Sequence, residues 1–264
     1  MSFPPDAKIV SAVVPAVNRE ARRGLAHPDM LVLHYTGMRS AAKAVEWLAC
    51  AESRVSCHYV IDEAGMVTQL VPESERAWHA GVSSWHGVTD LNSASIGIEI
   101  QNPGHEMGYH DFPDAQIAAV IALSLDIVRR QNMPAARVLA HSDIAPHRKI
   151  DPGEKFPWAR LAAAGVGHWT SPSPVRDTDL GLGLGDGGAG VATAQGWLAC
   201  YGYDVPRDGH FGLETERVVR AFQRHFRPQR PDGRLDLSTL ATLERLMAAL
   251  PAPAAALKQR GTHS

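Results

Sequence analysis

The sequence predicts an α/β fold, a mixed central sheet flanked by helices, followed by a small C-terminal three-helix domain. Two observations carry this. Up to about residue 169, short β-rich apolar runs alternate with longer helical patterns, and a stretch rich in Gly, Pro, Ser and Asp at 170–190 then interrupts the pattern. Beyond that stretch only helical patterns remain.

Taken in order, MLVLHYT (30–36) is an apolar run of strand length, and SAAKAVEWLACAE (40–52) is an amphipathic helix with Ser40 as its N-cap. SCHYVID and MVTQLV read as two strands joined by the turn from Asp62 to Gly65. ASIGIEIQN (94–102) is a further strand, and strict alternation places Glu99 on the face of Gly97 and Gln101, opposite Ile98 and Ile100. DAQIAAVIALSLDIVRRQN (114–132) is the longest helix, closed by basic residues that suit its C-terminal dipole. ARVLAH then returns as a strand. The organisation expected is a domain over 1–169, a flexible linker over 170–190 with six glycines, a helical domain over 191–250 and a disordered tail over 251–264.

Composition excludes several classes. A formal charge of −2 lacks the basic footprint of a nucleic-acid partner. There is no run of about eighteen apolar residues, the length a membrane-spanning helix requires. Cys50, Cys57 and Cys200 are odd in number and spaced like no metal motif, so buried free thiols are expected. Residues 1–24 combine prolines at 4, 5 and 15 with no basic start, a poor export signal; the expectation is a cytoplasmic protein, with a periplasmic one as the alternative. Oligomeric state is not legible.

The most informative stretch is AHSDIAPHRKIDPGEKFPW (140–158), which sets His141, Lys149 and Asp151 in one segment stiffened by prolines. A catalytic zinc takes three His or carboxylate ligands and keeps one position open. His141 and Asp151 offer two, because a buried carboxylate is costly without a cation beside it. His34 in MLVLHYT is the candidate for the third, at the end of a buried strand, although by itself it reads as a core histidine bonded to backbone. With 13 histidines in the chain, a single one carries little weight.

LVLHYT, SCHYVID, AWHAG, SIGIEIQN and HSDIAPHRKIDPG occur in the order found in zinc N-acetylmuramoyl-L-alanine amidases of the amidase_2 group, and residues 30–160 resemble that family. The resemblance implies zinc held by His34, His141 and Asp151, with Glu99 handling protons and Lys149 assisting at the oxyanion. It implies hydrolysis of the amide between the lactyl group of N-acetylmuramic or anhydromuramic acid and L-alanine, with peptidoglycan fragments or muropeptides as partners. Trp78, His79, Asn102 and His105 fall in loops suited to lining a sugar or peptide groove, with ordinary loop packing as the other reading. His147 stays outside the ligand set. The C-terminal helix–turn–helix pattern, with GYDVPRDGHFGLET as its turn, resembles a peptidoglycan-binding module. Two other classes share much of this pattern: a non-catalytic peptidoglycan-recognition protein, and a zinc peptidase on stem peptides, which would lack the HExxH helix signature here.

Overall fold

A computed structural model describes residues 3–24 and 27–250. Its centre is a six-stranded mixed sheet in the order β1 (Val10–Val13), β5 (Val67–Gln69), β4 (Tyr59–Ile61), β7 (Ser95–Ile100), β3 (Met30–Tyr35), β8 (Val138–Ala140). β3 lies parallel to both β7 and β8, and β7 parallel to β4, so their carboxyl ends share one edge of the sheet. β2 (Arg19–Ala21) and β6 (Glu75–Ala77) form a separate antiparallel pair. The three-residue strands β2 (REA) and β6 (ERA) are too short and polar to carry a strand signal, whereas β1 lies in the Val-rich run KIVSAVV (8–14), a strand pattern that the sequence analysis left unassigned.

Alternation along the central strands sorts their side chains between the two faces of the sheet. Leu31 and Leu33 of β3, with Ile96, Ile98 and Ile100 of β7, pack against Ile117, Val120, Leu123 and Ile127 of the long helix α3 (Asp114–Arg130). Met30 and Val32 point the other way, as do Gly97 and Glu99 by the parity of their strand. α1 (Ala41–Ala49) starts where the sequence places it, with the Ser40 hydroxyl accepting the Lys43 N–H at 3.3 Å. Short helices α2 (Leu91–Ala94), α4 (His141–Ile144) and α5 (Trp158–Ala163) complete the first domain.

The C-terminal helices α6 (Ala189–Tyr201), α7 (Leu213–Phe226) and α8 (Leu237–Ala248) do not keep a separate core. Val191, Leu198, Phe222 and Leu243 join Met30, Val32, Trp85 and Ile144 in one apolar cluster across both domains. A polar latch crosses the same interface. The buried Asp143 carboxylate of α4 accepts from the Tyr203 hydroxyl at 2.6 Å, from His225 Nδ1 at 2.6 Å and from the Ala140 N–H at 2.8 Å. Trp158 and Phe226 sandwich the His225 ring, with centroids 3.7 and 3.8 Å away.

Two expectations are corrected here. Residues 170–190 are tied down rather than slack: Ser173 N–H donates to the Thr242 hydroxyl, Leu182 pairs with Leu235, and Gly187 pairs with His210. Their glycines and prolines set turns along the helices, and composition cannot see the tertiary partners that hold such turns. Of the cysteines only Cys57 is buried, and Cys200 lies at the surface. The tail expected to be disordered, 251–264, lies outside the described residues. Among the described residues no helix is long and apolar enough to cross a membrane.

Candidate active site

Three segments meet at the carboxyl edge of the parallel strands, the place where open α/β sheets build sites. His34 is the fifth residue of β3, flanked in register by Glu99 of β7. His141 opens α4 directly after β8, and Asp151 returns on the following loop, which is fastened by a Ser142 N–H to Asp151 carbonyl bond of 3.0 Å. The three side chains converge. His34 Nδ1 lies 2.8 Å from His141 Nδ1 and 3.2 Å from Asp151 Oδ2, and His141 Nδ1 lies 3.0 Å from the same oxygen. All three residues are buried, and together they form a group able to hold a metal ion.

The electrostatics agree with such a centre. Burial, reinforced by the His141 ring, pushes His34 down to about 4, so it offers a lone pair near neutral pH. Burial opposes ionisation of Asp151, yet His141 and His34 together hold its carboxyl well below the usual carboxylate range. The far nitrogens are also engaged: His141 Nε2 lies 3.2 Å from the Ala80 carbonyl, and His34 Nε2 lies 3.0 Å from His79 Nδ1. Both rings therefore turn Nδ1 toward the shared point.

Glu99 stands beside this group. Burial raises its carboxyl well above the ordinary value, Asp151 raises it further, and Lys149 opposes them. Its Oε2 is buried without a hydrogen-bond partner among the described residues, a free acceptor facing the site. Lys149, Glu99 and Asp151 line one cavity of about 350 Å³, whose walls include Trp47 and Trp78. A second groove of about 300 Å³, bordered by Tyr35, His105 and Met107, shares Lys149 and Asp151 with the first. The group thus sits between two grooves.

The four loop residues expected to line a groove separate in the structure. Trp78 does line the first cavity. His105 borders the second, stacked on Tyr109 at 4.2 Å, with Nδ1 3.1 Å from the Tyr35 hydroxyl and Nε2 3.2 Å from the Glu154 carboxylate. Asn102 is corrected to a loop fastener: it is fully buried, donating to the His110 carbonyl at 2.9 Å and accepting the Gly104 N–H at 3.0 Å. His79 reaches the cavity wall, but its nitrogens are spent on His34 and on Ser95, 3.2 Å away, so it stands behind the triad. Burial and the surrounding imidazoles push it well below its ordinary value. His58, a neighbour of the same cluster, accepts the Gly97 N–H at 3.0 Å, and burial with Arg22 beside it lowers it to about 3.

Sequence reasoning passed over Trp47, Tyr35 and Arg148. Trp47 is 46% exposed on a helix whose apolar face is otherwise covered, and an aromatic on the solvent side of α1 was the available signal. Arg148 carried none, because its partners are backbone carbonyls from a distant loop: Nε donates to Val82 at 2.8 Å and Nη2 donates to Ala80. It thereby clamps the loop whose Ala80 carbonyl steadies His141.

Residues 24–154 match the family described as N-acetylmuramoyl-L-alanine amidase, and residues 187–243 match a peptidoglycan binding domain. Over 241 residues the chain is 38% identical to the N-acetylmuramoyl-L-alanine amidase AmiD of Escherichia coli (strain K12), covering 87% of this chain and 86% of that protein. The chain belongs to the N-acetylmuramoyl-L-alanine amidase family. Its fold is similar to that of E. coli AmiD solved with the substrate anhydro-N-acetylmuramic acid-L-Ala-D-gamma-Glu-L-Lys, with a TM-score of 0.71 and 39% identity over 87% of this chain and 92% of that one. It is also similar to AmpDh3 from Pseudomonas aeruginosa, with a TM-score of 0.73 and 32% identity over 88% of this chain and 96% of that one. Both likenesses reach into the C-terminal helices, since the coverage exceeds the length of the first domain alone. The resemblance drawn from the ordered motifs of residues 30–160 agrees with the family match over residues 24–154.

Proposed function

We propose that this amidase is a zinc hydrolase that cleaves the amide between the lactyl group of N-acetylmuramic or anhydromuramic acid and L-alanine of peptidoglycan stem peptides, in wall recycling or turnover. The convergence of His34, His141 and Asp151, with the unpartnered Glu99 carboxyl on the adjacent strand, carries this reading. The donor set fits zinc. Two imidazole nitrogens and one carboxylate oxygen are a catalytic zinc's ligand types, and tetrahedral bonds of about 2.0–2.1 Å place donors about 3.3 Å apart. The observed separations are 2.8, 3.0 and 3.2 Å.

When bound, zinc supplies Lewis-acid polarisation and makes water acidic enough to serve as a nucleophile near neutral pH. The remaining work falls to the chain's own groups. Glu99, raised by burial, takes a proton from the attacking water and returns it to the departing L-alanine nitrogen, which must leave as a neutral amine. Lys149, lining the same cavity, places an ammonium where negative charge grows on the carbonyl oxygen. Trp47 and Trp78 give the first groove aromatic faces, suited to the apolar face of a sugar ring. The substrate named in the AmiD complex supports the choice of bond.

Product analysis tests the reading. Zinc-loaded protein is incubated with soluble anhydromuropeptide and, in parallel, with intact sacculi. Release of a stem peptide with free N-terminal L-alanine is expected. Shortened stems still joined to the sugar would make it a peptidase, and binding with the lactyl amide intact would make it a recognition protein. The relative rates on the two substrates separate recycling of soluble fragments from attack on the polymer.

A further inference from the structure

Behind the triad runs a buried chain of polar atoms that the reaction does not consume. Ser95 Oγ lies 2.5 Å from the Leu91 carbonyl and 3.2 Å from His79 Nε2, and His79 Nδ1 lies 3.0 Å from His34 Nε2. Ser95, His79 and His34 are all buried, with His79 keeping 8% exposure where it reaches the cavity wall. We propose that Ser95 and His79 are positioning residues, a directional hydrogen-bond relay that fixes the tautomer of His34 and leaves its Nδ1 lone pair facing the metal. The proposal rests on the metal reading of the preceding subsection and extends it to two residues outside the His34, His141 and Asp151 group.

The direction follows from counting protons. A carbonyl oxygen only accepts, so the single hydroxyl proton of Ser95 goes to Leu91. Ser95 Oγ is then left as an acceptor toward His79, which must carry its proton on Nε2. A neutral imidazole has one N–H and one lone pair, so His79 Nδ1 accepts and His34 Nε2 donates. His34 Nδ1 is thereby bare, and it is the nitrogen that meets His141 Nδ1 and Asp151 Oδ2. His141 reaches the same state by a shorter route, with Nε2 against the Ala80 carbonyl.

Strand β7 makes room for the relay. A Cβ on Gly97 would stand 2.5 Å from His79 Cγ and 2.6 Å from its Nδ1, so the ring occupies the space a side chain would fill. Ser95 and Gly97, two residues apart, present one face of β7 to His79. The alternation Ser-x-Gly-x-Glu along this strand therefore places the relay acceptor, the space for the ring and Glu99 in a row.

The test reads the protons directly. Imidazole nitrogen shifts are recorded on the full-length, ¹⁵N-labelled, zinc-loaded chain, with His79 and His34 assigned by single substitution. His79 is expected to be protonated on Nε2 and bare on Nδ1, and His34 to be protonated on Nε2. A proton on His79 Nδ1 overturns the relay. In parallel, Ser95→Ala is expected to weaken zinc about tenfold in a chelator competition, the usual scale for a lost outer-shell partner. Unchanged zinc affinity with unchanged His34 and His79 shifts in that variant also overturns it. Failure of the wild-type chain to compete for zinc overturns the metal reading itself, an outcome distinct from a wrong tautomer on a chain that binds zinc.

Discussion

Gly97→Ala puts a single methyl group where the structure has no space. The added Cβ falls 2.5 Å from His79 Cγ and 2.8 Å from Cδ2, whereas carbon atoms rest about 3.5–4.0 Å apart, so the ring must retreat by about 1 Å. The backbone cannot yield instead, because Gly97 is paired with Val32 of β3 and its carbonyl accepts the His58 N–H at 3.1 Å. A shift of the ring by about 1 Å disrupts the 3.0 Å contact between His79 Nδ1 and His34 Nε2, since a hydrogen bond tolerates only a few tenths of an ångström in length. Overpacking costs about 1–3 kcal/mol and a broken buried hydrogen bond about 1–3 kcal/mol, so about 2–6 kcal/mol is expected in all. For a chain of this size that lowers the unfolding midpoint by roughly 4 °C or more, and zinc affinity is expected to fall about 10- to 100-fold. Thermal unfolding in chelator and a competition titration measure the two effects separately. A variant whose midpoint and zinc affinity both match wild type would show that the ring and strand accommodate the methyl, and the argument from space would be wrong.

Three further outcomes are expected. Glu99→Gln should lower turnover about 10²- to 10⁴-fold, measured as stem-peptide release. Because the raised Glu99 carboxyl must be ionised to accept a proton, the wild-type rate should fall as pH drops through a value above the ordinary carboxylate range. The stability sign is the reverse: a raised folded-state pKa favours the fold below the unfolded-state value and loses that contribution as pH rises, so metal-free Glu99→Gln should melt higher than wild type at pH 7. Chelation should abolish turnover and lower the melting midpoint, and zinc at about a hundred times its Kd should restore both, adding about 2.7 kcal/mol. Asp143→Ala leaves the Tyr203 hydroxyl and the His225 ring without their 2.6 Å partner in a buried interface, and at about 1–3 kcal/mol for each unsatisfied group should cost about 2–6 kcal/mol in denaturant unfolding. Tyr203→Phe, which keeps the volume, should cost about 1 kcal/mol in the same experiment.

The short β-rich runs, the 17-residue α3 and the Ser40 cap were legible because local patterns encode them: apolar periodicity, a capping side chain and turn residues act within a few positions. The chemical alphabet of the site was legible for a related reason. A buried carboxylate next to a histidine in a proline-stiffened loop calls for a cation wherever it lies in space, and the strand parity that puts Glu99 on the face of Gly97 is a property of the pleat. What the sequence by itself could not decide is which of its histidines meet. His34 and His141 are 107 positions apart, and only the parallel pairing of β3 with β8 brings their Nδ1 atoms within 2.8 Å. The same holds for His79, Asn102 and Arg148, whose roles depend on partners in other loops. It holds too for residues 170–190, where turn-forming composition meets a surface that holds the turns in place. Local chemistry sets what each residue can do, and the long-range closure of the sheet and the packing of the helical module select which of those capacities are used.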